Sequence, residues 1–357
     1  MLKFHALALV GKEQEGEEAV CLKFLVPEEL TSTYTGQAGQ HIVLKVQLDG
    51  TEVRRTYSLV SVPGEFPLRI GIRLHDLGQM SQYLTSALRL EERLEVLPPN
   101  GSFVSKFKDG RPRRYVGFAA GCGITPVLAL IKAKLAAEPD CHWVLFYGNR
   151  SAARAMFLEE LLGLKDHYLD RLAVHFIMSR EPQDIDVFNG HIDGEKLRAL
   201  GGPWLAPDST DEFFVCGPDD MISAVCSALV RFGVSPQRVH VEHFTLETVS
   251  TTERSEKTPV VMEGSAQVTV IMDGRRRSFT MALGGETVLE AALSAGVDLP
   301  YSCCAGVCAT CRTKVVNGAV DMKENFALED WELDQGYVLA CQSRPRGAEL
   351  VLDYDDV

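Results

Sequence analysis

The sequence has no long hydrophobic run. Its most apolar stretch, Tyr115 to Ile131, is interrupted by Gly117, Gly121, Gly123, Thr125 and Pro126, too short and too punctuated to cross a bilayer. An excess of positive charge is also absent. The 36 Lys and Arg against 49 Asp and Glu leave a net −13, a field that repels nucleic acid and acidic membrane surfaces and favours a basic partner or none. Met1 to Val10 carries Lys3 and His5 but no small-residue cleavage site, so a cytoplasmic protein is expected. No internal repeat is present. Nor is there a C-x-H…C-x2-H pattern or a pair of Glu-x-x-His segments, so iron-based oxygen chemistry is expected elsewhere. What is there is 357 residues, 46% hydrophobic and 24% charged, with a mean hydropathy of −0.01. That is ordinary globular composition, long enough for two or three domains.

Ten cysteines stand out. Disulfides do not persist in a reducing cytosol, so these are core fillers, metal ligands or redox groups. Cys303, Cys308, Cys311 and, thirty residues on, Cys341 fit C-x4-C-x2-C…C, the plant-type spacing for a [2Fe-2S] cluster. Four thiolates must converge on two irons, and small residues such as Ala305, Gly306 and Ala309 let backbone amides approach the sulfurs. Three ligands then come from one loop and the fourth from a later strand. A structural zinc site would call for a second C-x2-C knuckle, which the chain lacks. Cys304 would give C-x3-C and is read as a non-ligand, exposed to oxidation. Residues 315–357 carry ten acidic against three basic side chains, read either as a solvated surface or as an acidic docking face.

Three domains are expected. Residues 1–110 alternate β-rich runs with turns (Phe4 to Gly11, Ala19 to Val26, His41 to Leu48, Glu52 to Val60, Pro67 to Leu74, Arg93 to Leu97), with breaks at Asp49-Gly50, Pro63-Gly64 and Pro98 to Gly101 and one helix near Gln79 to Arg89. This suggests an antiparallel β-barrel. Residues 111–244 repeat an apolar strand and a helix, which implies an α/β doubly wound parallel sheet. Thr245 to Thr258 holds seven Ser and Thr in fourteen residues, and 245–264 reads as a linker. In 265–357, Asp273-Gly274 between Gln267 to Met272 and Arg276 to Met281 signals a hairpin, followed by a helix near Thr287 to Ala295, as in an α+β ferredoxin-like domain.

The segment Gly121-Cys122-Gly123-Ile124-Thr125-Pro126 follows a strand and opens a helix. Gly121 allows the turn, Gly123 admits a pyrophosphate, Thr125 is expected at the N-cap and Pro126 in the first helical turn. Cys216-Gly217-Pro218 forms a second strand-to-helix turn, from which Cys216 could reach a nicotinamide ring. Asn149-Arg150-Ser151 and Ser179-Arg180 offer arginine and no carboxylate, which suits the 2′-phosphate of NADPH over NADH. Cys21, Cys141 and Cys226 read as fillers. His240 and Glu242 should face away from His243 on one strand, which argues against a metal site.

On the barrel, Arg55-Thr56-Tyr57-Ser58 places Arg55 and Tyr57 on one strand face. A guanidinium, an aromatic ring and a hydroxyl suit a phosphate, a stacked ring system and a ring nitrogen. With this R-x-Y-S element ahead of a dinucleotide domain and a cysteine loop, the whole chain resembles the ferredoxin-NADP reductase superfamily fused to a C-terminal plant-type ferredoxin. Tyr147 to Arg150, Gly190 to Leu197 and Val307 to Cys311 are similar to the reductase subunits of phenylacetyl-CoA epoxidases. Leu339 to Pro345 is similar to ketosteroid hydroxylase reductases.

The resemblance implies FAD held by Arg55 at the pyrophosphate and Tyr57 on the isoalloxazine. It implies Ser58 near N5, Ile72 and Arg73 at the flavin edge, Gly78, Gln79, Met80 and Ser81 at phosphate, and Phe244 over the other face. Ser58 and Cys216 are the residues expected beside the reacting atoms. Leu77 stands where a Gly-Gly pair is common, and Cys304 where relatives carry a polar or charged residue. Reduced nicotinamide gives two electrons as a hydride while the cluster accepts one at a time, so a flavin must sit between them. The expected activity is an oxidoreductase passing electrons from NADPH through FAD and a 2Fe-2S cluster to the oxygenase component of a multicomponent system, with phenylacetyl-CoA epoxidase foremost. The alternatives are the reductase of a Rieske-type aromatic or steroid hydroxylase, and a redox sensor without turnover.

Overall fold

A computed structural model of the chain describes residues 3–75, 78–107, 111–201, 204–244 and 264–356. The expected linker, apart from Gly264, and Leu77 lie outside the described residues.

The N-terminal unit runs β1 (His5–Gln14), β2 (Ala19–Leu25), α1 (Thr31–Tyr34), β3 (His41–Leu48), β4 (Thr51–Ser58), β5 (Leu68–Arg73), α2 (Gln79–Gln82) and β6 (Arg93–Asn100). Its antiparallel sheet has the order β4-β3-β6-β1-β2-β5, and a bridge between Leu59 and Ile70 brings the outer strands together. Alternating residues such as Leu22, Phe24, Ile42, Leu44 and Ile70 fill the interior. Two local expectations need correction. The expected break at Pro98 is part of β6, because the β3–β6 register shifts between His41 and Val43, and a bulge tolerates prolines that cannot donate to the ladder. The expected helix over 79–89 is one α turn, followed by a wider turn over Tyr83–Ala87.

The second unit follows the expected alternation: β7 (Arg114–Ala120), α3 (Ile124–Ala137), β8 (His142–Asn149), α4 (Leu158–His167), β9 (Leu172–Met178), α5 (Gly194–Leu200), β10 (Glu212–Gly217), α6 (Asp219–Arg231) and β11 (Val239–His243). All five strands are parallel, in the order β11-β10-β7-β8-β9. Aromatic and aliphatic residues on both faces of the sheet are buried under the helices, as a doubly wound sheet requires. One of these cores continues into the barrel through Ala19, Cys21, Val60 and Phe103. At that seam a Cβ on Gly71 would lie 2.7–2.8 Å from Thr125, Met156 and Phe157 side-chain atoms, so glycine permits the close approach.

The C-terminal unit comprises β12 (Ser265–Met272), β13 (Arg275–Ala282), α7 (Val288–Ser294), β14 (Arg312–Asn317), β15 (Val320–Met322), α8 (Asp330–Asp334), β16 (Tyr337–Leu339), β17 (Ser343–Pro345) and β18 (Glu349–Asp353). The sheet order β13-β12-β18-β14-β16, with α7 packed on it, is the β-grasp arrangement. Asp273 and Gly274 both have positive φ, 53° and 65°, the conformation of a two-residue type I′ hairpin. Thr287 and Glu290 form a reciprocal capping box at the start of α7, which satisfies two otherwise orphaned amides. Among the described residues, the core of this unit draws only on residues 266–354.

Candidate functional site

Strand β4 is two-faced. Arg54, Thr56 and Ser58 alternate with Arg55 and Tyr57, and Arg54 and Ser58 are buried. Arg55 donates to the Arg54 carbonyl (2.9 Å), while Tyr57 packs at the margin of the barrel core. At the end of the strand the Ser58 hydroxyl donates to the Glu242 carboxylate at 2.9 Å, and His41 lies 3.7 Å from the same carboxylate. Phe244, half-buried, follows directly on β11. On β5, the Ile72 side chain belongs to the barrel core, while Arg73 reaches across to the Arg154 carbonyl (2.7 Å) and covers Gly121. Gly78 caps α2; the Ser81 hydroxyl donates back to its carbonyl (2.9 Å), Gln79 is exposed, and Met80 is buried in the core.

The two glycine turns expected to take a nucleotide lie side by side at the carboxyl ends of β7 and β10. Gly121 has φ +56°, and its carbonyl accepts from the Tyr147 hydroxyl (3.0 Å). A Cβ on Gly123 would overlap the Cys216 carbonyl, so this glycine is required by strand β10 as well as by any phosphate. The N-cap of α3 is Gly123, which corrects the expectation for Thr125. Thr125 is the second helical residue, and its hydroxyl donates back to the Cys122 carbonyl (3.0 Å). Ile124 and Pro126 complete the first turn, buried. Pro218 caps α6 after Gly217. Cys216 is fully buried, and burial followed by the nearby Glu242 carboxylate pushes its thiol well up, so it is protonated.

At the ends of β8 and β9, backbone bonds from Ser179 to Asn149 and from Arg180 to Arg150 (both 2.9 Å) bring the two exposed arginines together. A carboxylate, Glu181, does stand in this corner; it accepts the Ala152 amide at 2.7 Å. Asn149 is buried; its amide lies close to the Tyr147 hydroxyl but completes no full hydrogen bond among the described residues. Such a group is costly to bury unless something completes it.

The four spaced cysteines converge as two pairs, Cys303 with Cys308 and Cys311 with Cys341. Within each pair the partner thiol lowers Cys303 and Cys341 and raises Cys308 and Cys311. The Ala305 amide points at Cys303 Sγ (3.4 Å), and Gln342 Nε2 lies 3.6 Å from Cys341 Sγ. Positive φ at Cys304, Gly306 and Ala309 (52°, 77° and 52°) curls the loop so that its amides face the sulfurs. Among the described residues no group of three or more His, Cys, Asp or Glu is arranged to hold one metal ion, whereas two thiol pairs with N–H donors around them suit a two-iron cluster, which takes two thiolates at each iron. Cys341 lies in the turn between β16 and β17, a correction to the expected strand position. Cys304 stands outside both pairs, with its Sγ turned to the Ser302 carbonyl (3.8 Å).

Three family models match in succession: an oxidoreductase FAD-binding domain over residues 6–104, an oxidoreductase NAD-binding domain over 118–227 and a 2Fe-2S iron-sulfur cluster binding domain over 270–346. The chain is 40% identical to a subunit of the 1,2-phenylacetyl-CoA epoxidase of Escherichia coli K12, covering 99% of each protein. The chain belongs to the ferredoxin-NADP reductase superfamily, in the branch fused to a 2Fe-2S ferredoxin domain. This reductase is also 31% identical to the ferredoxin reductase component of 3-ketosteroid-9-alpha-monooxygenase from Rhodococcus rhodochrous, over 96% of the chain and 94% of that protein. Its fold is that of phthalate dioxygenase reductase (TM-score 0.59, 23% identity, 98% of both chains). The reductase is thus an electron-transfer oxidoreductase acting on NAD(P)H, with FAD, NAD and 2Fe-2S domains in one chain. Among the described residues no helix is long and apolar enough to cross a membrane.

Sequence reasoning weighed Glu242 only as a metal ligand and gave it no other role, although β11 brings it to Ser58. It also passed over Arg54 and Thr56. Their signal was the alternation that singled out Arg55 and Tyr57, because a strand between two occupied faces needs partners on both. His240, Glu242 and His243 each take a different partner: His240 with Glu212 (2.9 Å), Glu242 with Ser58 (2.9 Å), and His243 with Asp219 (2.8 Å).

Proposed function

We propose that this reductase draws electrons from NADPH and delivers them, in the cytoplasm, to the oxygenase component of a phenylacetyl-CoA epoxidase. The observation that carries the reading is the 40% identity over essentially the whole of both chains, joined to a thiol loop and a flavin strand brought together in one molecule. When bound, FAD takes up the nicotinamide hydride and a 2Fe-2S cluster accepts the electrons singly.

The chain's own residues bind and orient. Arg55 supplies a guanidinium to the flavin pyrophosphate and Tyr57 a ring face to the isoalloxazine. Ile72, Arg73, Gly78, Gln79, Met80, Ser81 and Phe244 frame the same site. Ser58, held by Glu242, presents a hydroxyl beside the flavin ring nitrogen. Gly121, Gly123, Ile124, Thr125, Pro126, Gly217 and Pro218 form the nicotinamide dinucleotide cradle, with Cys216 at its floor as a neutral thiol. The buried, uncompleted amide of Asn149 supports a nucleotide at the adjoining corner. Arg150, Ser179 and Arg180 receive the 2′-phosphate there. Cys303, Cys308, Cys311 and Cys341 hold the cluster.

Mixing the holoprotein with NADPH should bleach the flavin on a catalytic timescale. Adding the oxygenase component of a phenylacetyl-CoA epoxidase with phenylacetyl-CoA should then give the epoxide. Bleaching without coupling to that oxygenase, but with coupling to a 3-ketosteroid hydroxylase, would transfer the assignment to the second group of relatives. No bleaching would leave only a sensor.

A further inference from the structure

On the second face of β4, Arg54 and Thr56 are covered by the segment that leads into the thiol loop, while Ser58 at the strand end turns to Glu242. Thr56 Oγ1 and Ser302 Oγ share a hydrogen bond of 2.8 Å. The Arg54 guanidinium lies over the Tyr301 ring, 4.0 Å from its centroid, and reaches Asp298 (3.4 Å) while Glu52 holds its other edge (2.8 Å). Cys304, next to the first ligand, lies within electrostatic reach of Arg55. On the far side of the loop, Ser102 donates to the Ala327 carbonyl (3.2 Å), Lys106 pairs with Glu329 (3.1 Å) and the His243 ring meets Phe326 at 5.2 Å. The contacts therefore bracket the thiol loop, and the Thr56–Ser302 pair sits one residue from the flavin strand's Tyr57 and one residue from Cys303.

We propose that the Thr56–Ser302 hydrogen bond, clamped by Arg54 on Tyr301, is the junction through which electrons pass from the flavin unit to the cluster loop. This rests on the reading under Proposed function. From Tyr57 the route runs along one peptide to Thr56, across a single non-covalent gap of 2.8 Å to Ser302, and along one peptide to Cys303. Reduced nicotinamide supplies the electron pair as a hydride, and the acceptor beyond the cluster is a one-electron oxidant. The junction is crossed twice per nicotinamide, one electron each time and no proton. No bond forms or breaks at Thr56, Ser302 or Arg54, which are positioning residues. The hydroxyls matter because Ser302 is buried and Thr56 half-buried at this contact, so their mutual hydrogen bond favours one docked arrangement over others.

The test uses the full holoprotein carrying T56V, S302A, or T56S as the conservative rescue. Stopped-flow spectra after mixing with NADPH should show flavin bleaching at the wild-type rate in all three. Cluster reduction should be slowed about fivefold or more in T56V and S302A, the loss of docked population expected for one hydrogen bond, and restored in T56S. Independently of turnover, hydrogen exchange of the Tyr301 to Cys303 amides in the oxidised protein should rise in T56V and S302A and not in T56S. Wild-type cluster reduction in both T56V and S302A, with exchange unchanged, overturns the junction. Absence of flavin bleaching in the wild type would overturn the reductase reading instead. If exchange rises while cluster reduction keeps its rate, docking is confirmed but the electron route is refuted.

Discussion

Burial pushes the Glu212 carboxyl up, but hydrogen bonds from His240 (2.9 Å), the Ser105 hydroxyl (2.6 Å) and the Lys106 amide (2.9 Å) bring it below its ordinary value. A carboxylate lowered on folding contributes stability that is complete above its unfolded pKa and is lost as pH falls through the lowered folded value. Urea denaturation followed from about pH 7 down to about pH 3 should therefore show a flatter acid limb in E212Q, which starts about 1–3 kcal/mol less stable at neutrality. Superimposable acid limbs would remove Glu212 as a source of acid sensitivity. In C341S the visible cluster absorption should vanish while NADPH still bleaches the flavin; in C304S it should persist, and its loss would place Cys304 among the ligands. For the nicotinamide, R150A/R180A should cut kcat/KM for NADPH by about tenfold or more and leave NADH nearly untouched; an equal fall for both would show that the arginines do not read the 2′-phosphate. That the C-terminal unit is a 2Fe-2S domain was legible from cysteine spacing alone, because thiolate chemistry tolerates few arrangements. Glu242 and Arg54 were not, since each acts through a contact across domains that no local pattern records.

At the scale of elements, the parallel sheet was read almost strand for strand, because buried strands alternating with helices write a strong periodic signal. The misses were local. A bulge admitted Pro98 and Pro99 into β6, and the α3 cap moved from Thr125 to Gly123, whose missing side chain is demanded by Cys216 on a strand nearly a hundred residues away. Sequence reasoning linked Gly123 to a phosphate, and the packing gives it a second, independent reason. G123A should accordingly destabilise the nucleotide unit by about 1–3 kcal/mol even without nucleotide, read as a lower midpoint in thermal denaturation of the protein free of NADPH. A wild-type midpoint with weakened NADPH binding would return the glycine to a purely phosphate-facing role.

For the whole molecule, one of the cores spans the barrel and the parallel sheet, while among the described residues the core of the C-terminal unit draws on that unit alone. A chain ending at Phe244 should therefore fold, keep its flavin and reduce ferricyanide with NADPH, yet fail to support the oxygenase; failure to retain flavin would show that the C-terminal unit completes the barrel. That three units were present was legible from the changes of pattern along the chain, but their docking was not, because it depends on polar side chains such as Arg54, Thr56 and Ser302 that look ordinary in sequence. The two faces of β4 carry a last consequence. Side chains in a strand change sides at every residue, so a single deletion between Thr51 and Arg54 would exchange the duties of Arg54 and Arg55, turning the proposed phosphate-binding guanidinium toward the ferredoxin and the clamp toward the flavin. The turn before this strand is free to vary in length over evolutionary time only if β4 keeps its parity.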